Sequence, residues 1–203
     1  MRVDKVILRA ALSSLAAVVI LIGVMIFSLC YLFPATMMNI TYDLGMDNAS
    51  ITCAKRSYNR TEQVYYIAFA TEVAIVSENS EQIAECGKKF VGDNEQLFVE
   101  YCNEKNQSMS QGVNGTYEQY IFGQICAAEY KLGDTSQAIS DAFAYLHGAF
   151  PVNNSVVTLL FTAMHENDTQ TVNEIVQELS SLQLDGFSKA DLAYYQDIVS
   201  AME

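Results

Sequence analysis

The chain has 203 residues, enough for one domain with a substantial core and one further element. It carries a formal net charge of −13, with 24 acidic against 11 basic residues. That balance excludes electrostatic binding of nucleic acid, whose phosphates are met by lysine and arginine, so no nucleic-acid partner is expected.

The first predicted element is an N-terminal helix. Arg2, Lys5 and Arg9, against the single acid Asp4, precede an uncharged run of 24 residues from Ala10 to Phe33. At about 1.5 Å per residue this gives roughly 36 Å of helix, sufficient to cross a hydrocarbon core of about 30 Å. Residues 1–9 are therefore expected to form a cytoplasmic basic leader, residues 10–33 a transmembrane helix, and the remainder an extracytoplasmic part of a single-pass membrane protein. The apolar run exceeds the roughly 7–15 residues of a secretory signal, which favours a retained signal-anchor over a cleaved leader. Cys30 invites comparison with an acylated cysteine, but Leu29 stands where such a site needs a small residue. Beyond the span, setting aside Arg2, Lys5, Arg9 and Asp4 leaves 8 basic and 23 acidic residues, a net of −15. A surcharge of this sign keeps an exported domain soluble.

Residues 34–58 read as a juxtamembrane segment. A short helix after Pro34 closes at Gly45, and a second opens at Asp47 with Ile51, Ala54 and Tyr58 on one side. From residue 59 to 203 the chain reads as one helical domain. Pairs of a capping residue and an acceptor three positions later recur as Asn59 with Glu62, Asn79 with Gln82, Asp93 with Gln96, Thr116 with Gln119, Asp134 with Gln137, and Ser188 with Asp191. Each pair can satisfy amides left open at a helix start. Apolar residues between them step by three or four, as in Val64, Ile67, Ala68 and Thr71, or Ile121, Phe122, Ile125 and Cys126. Strand-type alternation is missing, and the fold class is all-α. Asn106 to Gly115 is polar and Gly-containing, and reads as a surface loop. Ser188 to Met202 reads as a terminal cap.

The stretch Tyr130–Leu146 carries the clearest helix-turn-helix signal, with Gly133-Asp134 at the turn and Ala138, Ala142 and Leu146 on one face. It recurs 34 residues on: Asp134 is echoed by Asp168, Ala138 by Val172, and Cys126 by Leu160. Thr116 to Pro151 thus resembles a tetratricopeptide (TPR) repeat, with Cys126 and Ala138 in the small positions and Pro151 closing the unit. A second, degenerate copy reaches Leu184, and Glu62 to Phe90 is a looser hairpin with Glu72 near an expected small position. The chain departs from the family pattern in having no tryptophan, and an extra helix from Asp93 interrupts the period. The resemblance implies a solenoid of helical hairpins whose first helices line a concave groove. Carried over by position, that groove comprises Tyr120, Gly123, Ala127, Tyr130 and Lys131 from one unit and Val157, Phe161, Met164 and His165 from the next, suited to an extended or helical peptide.

Chemistry is sparse. The two histidines, His147 and His165, form no His-Glu-x-x-His pair, and no Cys-x-x-Cys, Gly-x-Ser-x-Gly or phosphate-binding glycine loop occurs. Neither an enzyme activity nor a cofactor or metal is expected. Cys53, Cys86, Cys102 and Cys126 permit two disulfides, yet three of them fall on apolar stripes where a free thiol packs as a small hydrophobe. Seven of twelve asparagines, Asn39, Asn48, Asn59, Asn106, Asn114, Asn153 and Asn167, satisfy Asn-x-Ser/Thr, although asparagine, serine and threonine also gather at caps and turns for local reasons. The expectation is a membrane-anchored module that binds a protein or peptide, with a structural subunit of a larger membrane complex as the alternative.

Overall fold

A computed structural model of the protein describes residues 2–108, 116–145, 155–181 and five positions between 193 and 200. Among the described residues ten helices follow one another: α1 (Arg2–Leu32), α2 (Pro34–Asp43), α3 (Asp47–Thr61), α4 (Val64–Val76), α5 (Ser80–Gly92), α6 (Glu95–Ser108), α7 (Tyr117–Lys131), α8 (Thr135–Ala144), α9 (Ser155–His165) and α10 (Thr169–Ser181). Among the described residues there is no strand, and the chain is all-α. Within α1, Leu8–Leu32 has a mean hydropathy of 2.8 over its most apolar stretch and is almost wholly uncovered, long and apolar enough to cross a membrane.

Four of the turns are built alike. Gly45 N–H donates to the Tyr42 carbonyl and Met46 N–H to Thr41; Glu78 and Asn79 repeat the pattern onto Ile75 and Ala74, Gly133 and Asp134 onto Tyr130 and Glu129, and Asn167 and Asp168 onto Met164 and Ala163. This is the paired 6→1 and 5→2 closure that ends a helix on a left-handed residue. The left-handed residues are Gly45, Glu78, Gly133 and Asn167, with φ of 68°, 53°, 87° and 56°. Each turn joins two packed helices, α2 to α3, α4 to α5, α7 to α8 and α9 to α10. Counting from each left-handed residue, the position seven earlier is buried in all four hairpins (Met38, Thr71, Cys126, Leu160). So are the position five later (Ser50, Ile83, Ala138, Val172) and the position nine later (Ala54, Gly87, Ala142, Val176). The hairpin of α2 and α3, whose two helices the sequence indicated on either side of Gly45, thus shares the turn and burial pattern of the other three.

The helices bury two contiguous cores. One runs from Cys30 and Met38 through Ile51, Ile67, Phe90 and Phe98 to Ile125; the other holds Cys126, Ala138, Val156, Leu160, Ile175 and Leu179. Helix α7 stands between them, against α5, α6, α8 and α9. Its neighbours approach closely at glycines: a Cβ on Gly87 of α5 would lie 2.5 Å from Ile125 Cγ1, and one on Gly123 of α7 would lie 2.6 Å from Thr158 Oγ1 of α9. Tyr145 links the cores by stacking on Phe122 at 4.2 Å between ring centroids.

Several expectations are corrected. Helix α3 runs through the boundary set at 58/59, and Met37, Met38, Ile51, Cys53 and Ala54 belong to the first core, so residues 34–58 share the core of the helices that follow. Asn59 does not start a helix: it sits in the last turn of α3, accepting a bond from Lys89 Nζ at 3.1 Å, while left-handed Glu62 ends α3 and α4 opens after Gln63. The cap expected at Asp93 belongs to Asn94, whose Oδ1 accepts from Leu97 N at 3.1 Å. Asp134 occupies its cap position without a side-chain bond, and Gln137 donates to Asp141 at 2.7 Å instead. Asn79 and Thr116 cap as expected, accepting from Gln82 N and Gln119 N. The polar stretch expected to begin a loop at Asn106 continues α6 to Ser108, and Asn106 Oδ1 accepts from Tyr117 N at 2.7 Å. Of the terminal cap expected from Ser188 to Met202 five positions are described, whereas Pro151 and His147 lie outside the described residues.

A candidate interaction face

The groove residues divide into those left open and those consumed by packing. On α7, Tyr120 is 45% exposed and Lys131 is exposed, whereas Gly123 and Ala127 are buried. On α9, Phe161 is 50% exposed and His165 is exposed, whereas Val157 is buried and Met164 packs half-covered against the second core. Tyr130 spends its hydroxyl on Asp168 Oδ2 at 3.0 Å, tying the α7–α8 turn to the α9–α10 turn. Burial and the Asp168 carboxylate push this phenol up to about 12, so it remains a donor throughout the neutral range. The groove expected from position is therefore shallower than a string of nine contact residues. Along the expected strip Tyr120, Lys131, Phe161 and His165 are exposed, Gln124 of α7 is half-buried, and Gly123, Ala127 and Val157 are buried. That strip holds no carboxylate, although the chain as a whole is strongly acidic.

Beside the strip, a cavity of about 240 Å³ lies between the ends of α4, α5 and α7, lined by Ile75, Glu78, Ser80, Ile83, Gln124, Ala127, Ala128 and Lys131. Helix α6 closes off the region towards the start of α7. Glu72 of α4 receives Tyr117 Oη at 2.5 Å, Lys105 Nζ at 2.9 Å and Tyr101 Oη at 3.4 Å. Lys105 also lies 5.4 Å and 5.8 Å from the Tyr101 and Tyr117 ring centroids. Burial and the hydrogen bond to Glu72 push the Tyr117 phenol strongly upward, so Tyr117 is a fixed donor to Glu72. Glu72 lies near the small position expected from the sequence, and the buried residue there is its neighbour Thr71.

A second charged cluster lies behind the strip. The Glu129 carboxylate is 3% exposed and meets Lys88 of α5, which also stands 3.3 Å from Asp141 of α8. One lysine therefore serves two acids, and burial together with Asp141 raises the Glu129 carboxyl above the usual carboxylate range. All five cysteines are buried and unbridged, and burial pushes the Cys86 thiol up to about 11. Of the Asn-x-Ser/Thr positions, Asn39, Asn48, Asn59 and Asn106 lie within helices, and Asn167 adopts the left-handed turn that asparagine tolerates well. Asn114 and Asn153 lie outside the described residues. Among the described residues, no group of three or more His, Cys, Asp or Glu side chains is placed to hold a metal ion. No protein family, curated protein or solved structure matches the chain.

Proposed function

We propose that this chain is a membrane-anchored, extracytoplasmic interaction module of TPR-like construction, which receives a protein or peptide along the face shared by α7 and α9. The observation that carries this reading is the exposure of Tyr120 and Phe161 on two neighbouring helices, with Gln124, Lys131 and His165 and no carboxylate among these five positions, in a chain of net charge −13. Aromatic side chains of this kind supply most of the energy at protein contacts. The repeat reading is supported by the four like turns. Gly133 and Asn167 are 34 positions apart, Gly45 and Glu78 are 33 apart, and the wider interval between Glu78 and Gly133 contains α6. Export of the domain is the orientation that Arg2, Lys5 and Arg9 before the apolar helix favour.

A photo-crosslinking amino acid placed at 120 or 161 in the full chain, in its native membrane, tests the reading. Both positions are expected to capture the same protein, and a probe at exposed Gln137 on α8 is not. Capture of that protein equally from position 137, or only from the exposed Leu21 in α1, would replace the interaction face with a structural subunit held through other surfaces.

A further inference from the structure

Helix α3 lies along the last third of the apolar helix. Arg60 donates to the Tyr31 carbonyl at 2.7 Å and to that of Leu32 at 3.5 Å, and Cys53 Sγ lies 4.0 Å from the Cys30 carbonyl. The Arg56 guanidinium stands 5.7 Å from the Phe27 ring and 5.4 Å from the Tyr31 ring. Below Arg56 a cavity of about 430 Å³ opens between the two helices, lined by Gly23, Ile26 and Phe27 on one side and by Met46, Ala49 and Thr52 on the other. A Cβ on Gly23 would meet nothing within 4 Å, so this end of the cavity is open to whatever surrounds α1.

Two arguments indicate the occupant. With Leu8–Leu32 as the span, about 20 residues of helix counted from Leu8 would bring the edge of the hydrocarbon core near Phe27, which would place Arg56 beside the lipid phosphates. Charge supplies the second. Lys55, Lys88, Lys89 and Lys105 each meet a carboxylate, whereas Arg56 and Arg60, like Lys131, meet none among the described residues, and of these three only Arg56 borders the α1–α3 cavity, in a chain with a large excess of acids. A guanidinium flanked by aromatic rings above an apolar cleft is complementary to a phosphate ester carrying a hydrocarbon chain. The cleft also has the size of a ligand site, for which about 300–1,000 Å³ is usual.

We propose that the α1–α3 cleft binds one anionic phospholipid, its phosphate on Arg56 and an acyl chain between Gly23 and Ala49. The proposal rests on Leu8–Leu32 being a membrane span. The full chain, released from membranes in mild detergent and exposed to phosphatidylglycerol or phosphatidylcholine, is weighed by native mass spectrometry. Retention of phosphatidylglycerol is expected, weakened about tenfold or more by Arg56→Gln. Ala49→Phe, which fills the cleft and keeps the charge, should weaken both lipids. Circular dichroism and melting of each variant separate lost binding from lost fold. Equal retention by wild type and both correctly folded variants overturns the site. So does a dimer that Gly23→Phe abolishes with no lipid retained, since a second copy of α1 would then fill the cleft. Recovery of the chain from membranes by alkaline wash alone would instead remove the span on which the proposal rests.

Discussion

At the scale of single residues, Lys88 carries more than an ordinary surface lysine. It is the cation in contact with both Glu129 and Asp141, and the Glu129 carboxylate is buried without a hydroxyl or amide donor among the described residues. Removing one partner of such a cluster leaves buried charge uncompensated, at about 3–5 kcal/mol when the whole cluster is dry. The Lys88 side chain is 43% exposed, so screening brings the expected loss for Lys88→Met at pH 7 to about 1–3 kcal/mol. The pH dependence has a definite sign. A carboxyl raised in the folded state contributes stability below its unfolded pKa and loses it as pH rises through the folded value. Lys88→Met should widen that shift, so its deficit relative to wild type should shrink between pH 7 and pH 5. Urea midpoints at the two pH values measure this, and an undiminished deficit at pH 5 would argue that Lys88 acts through packing alone. None of this cluster was visible in the sequence, because α5, α7 and α8 meet only after folding.

At the scale of elements, the recurring turn separates what local sequence encodes from what it conceals. Gly45 and Gly133 were legible because glycine adopts positive φ without steric cost, and both marked helix ends correctly. Glu78 performs the same closure with a side chain that disfavours it, so the second hairpin looked loose. The caps show the same division. Asn79 and Thr116 were readable, while Asn59 was misread because its surroundings, buried Tyr58 and Ser57, continue α3 past it. A left-handed non-glycine residue costs about 1–2 kcal/mol, partly offset by the entropy that glycine adds to the unfolded chain. Glu78→Gly should therefore stabilise the protein by about 0.5–1 kcal/mol, and Gly133→Ala should destabilise it by about 1 kcal/mol. Opposite signs in chemical denaturation are the signature, and a destabilised Glu78→Gly would show that the Glu78 side chain matters more than its backbone.

At the scale of the whole molecule, the sequence conveyed the all-α class and the long apolar helix, because both are written in periodicity and hydropathy. It did not convey which face of α7 stays exposed: that is decided by α5, α6 and α9, and so Ala127 and Val157 were taken for contact residues although both are buried. It also separated the span from the domain too cleanly. Cys30 is buried in the first core, and Ile26 and Leu29 pack against it. Arg60 also holds the last carbonyls of α1, which places a positive group at the negative end of that helix. A domain cut before Pro34 loses these contacts and exposes the surfaces of α2 and α3 that they cover. With partial burial of three side chains at stake, α2 and α3 should be destabilised by about 2–4 kcal/mol relative to the full chain. Hydrogen exchange resolves the effect by region. Amides of α2 and α3 should exchange faster in the truncated form, while those of α9 and α10, whose core excludes α1, should keep their protection. Uniform loss in both regions would mean that the two cores unfold as one unit. Unchanged protection in α2 and α3 would mean that α1 is only a tether.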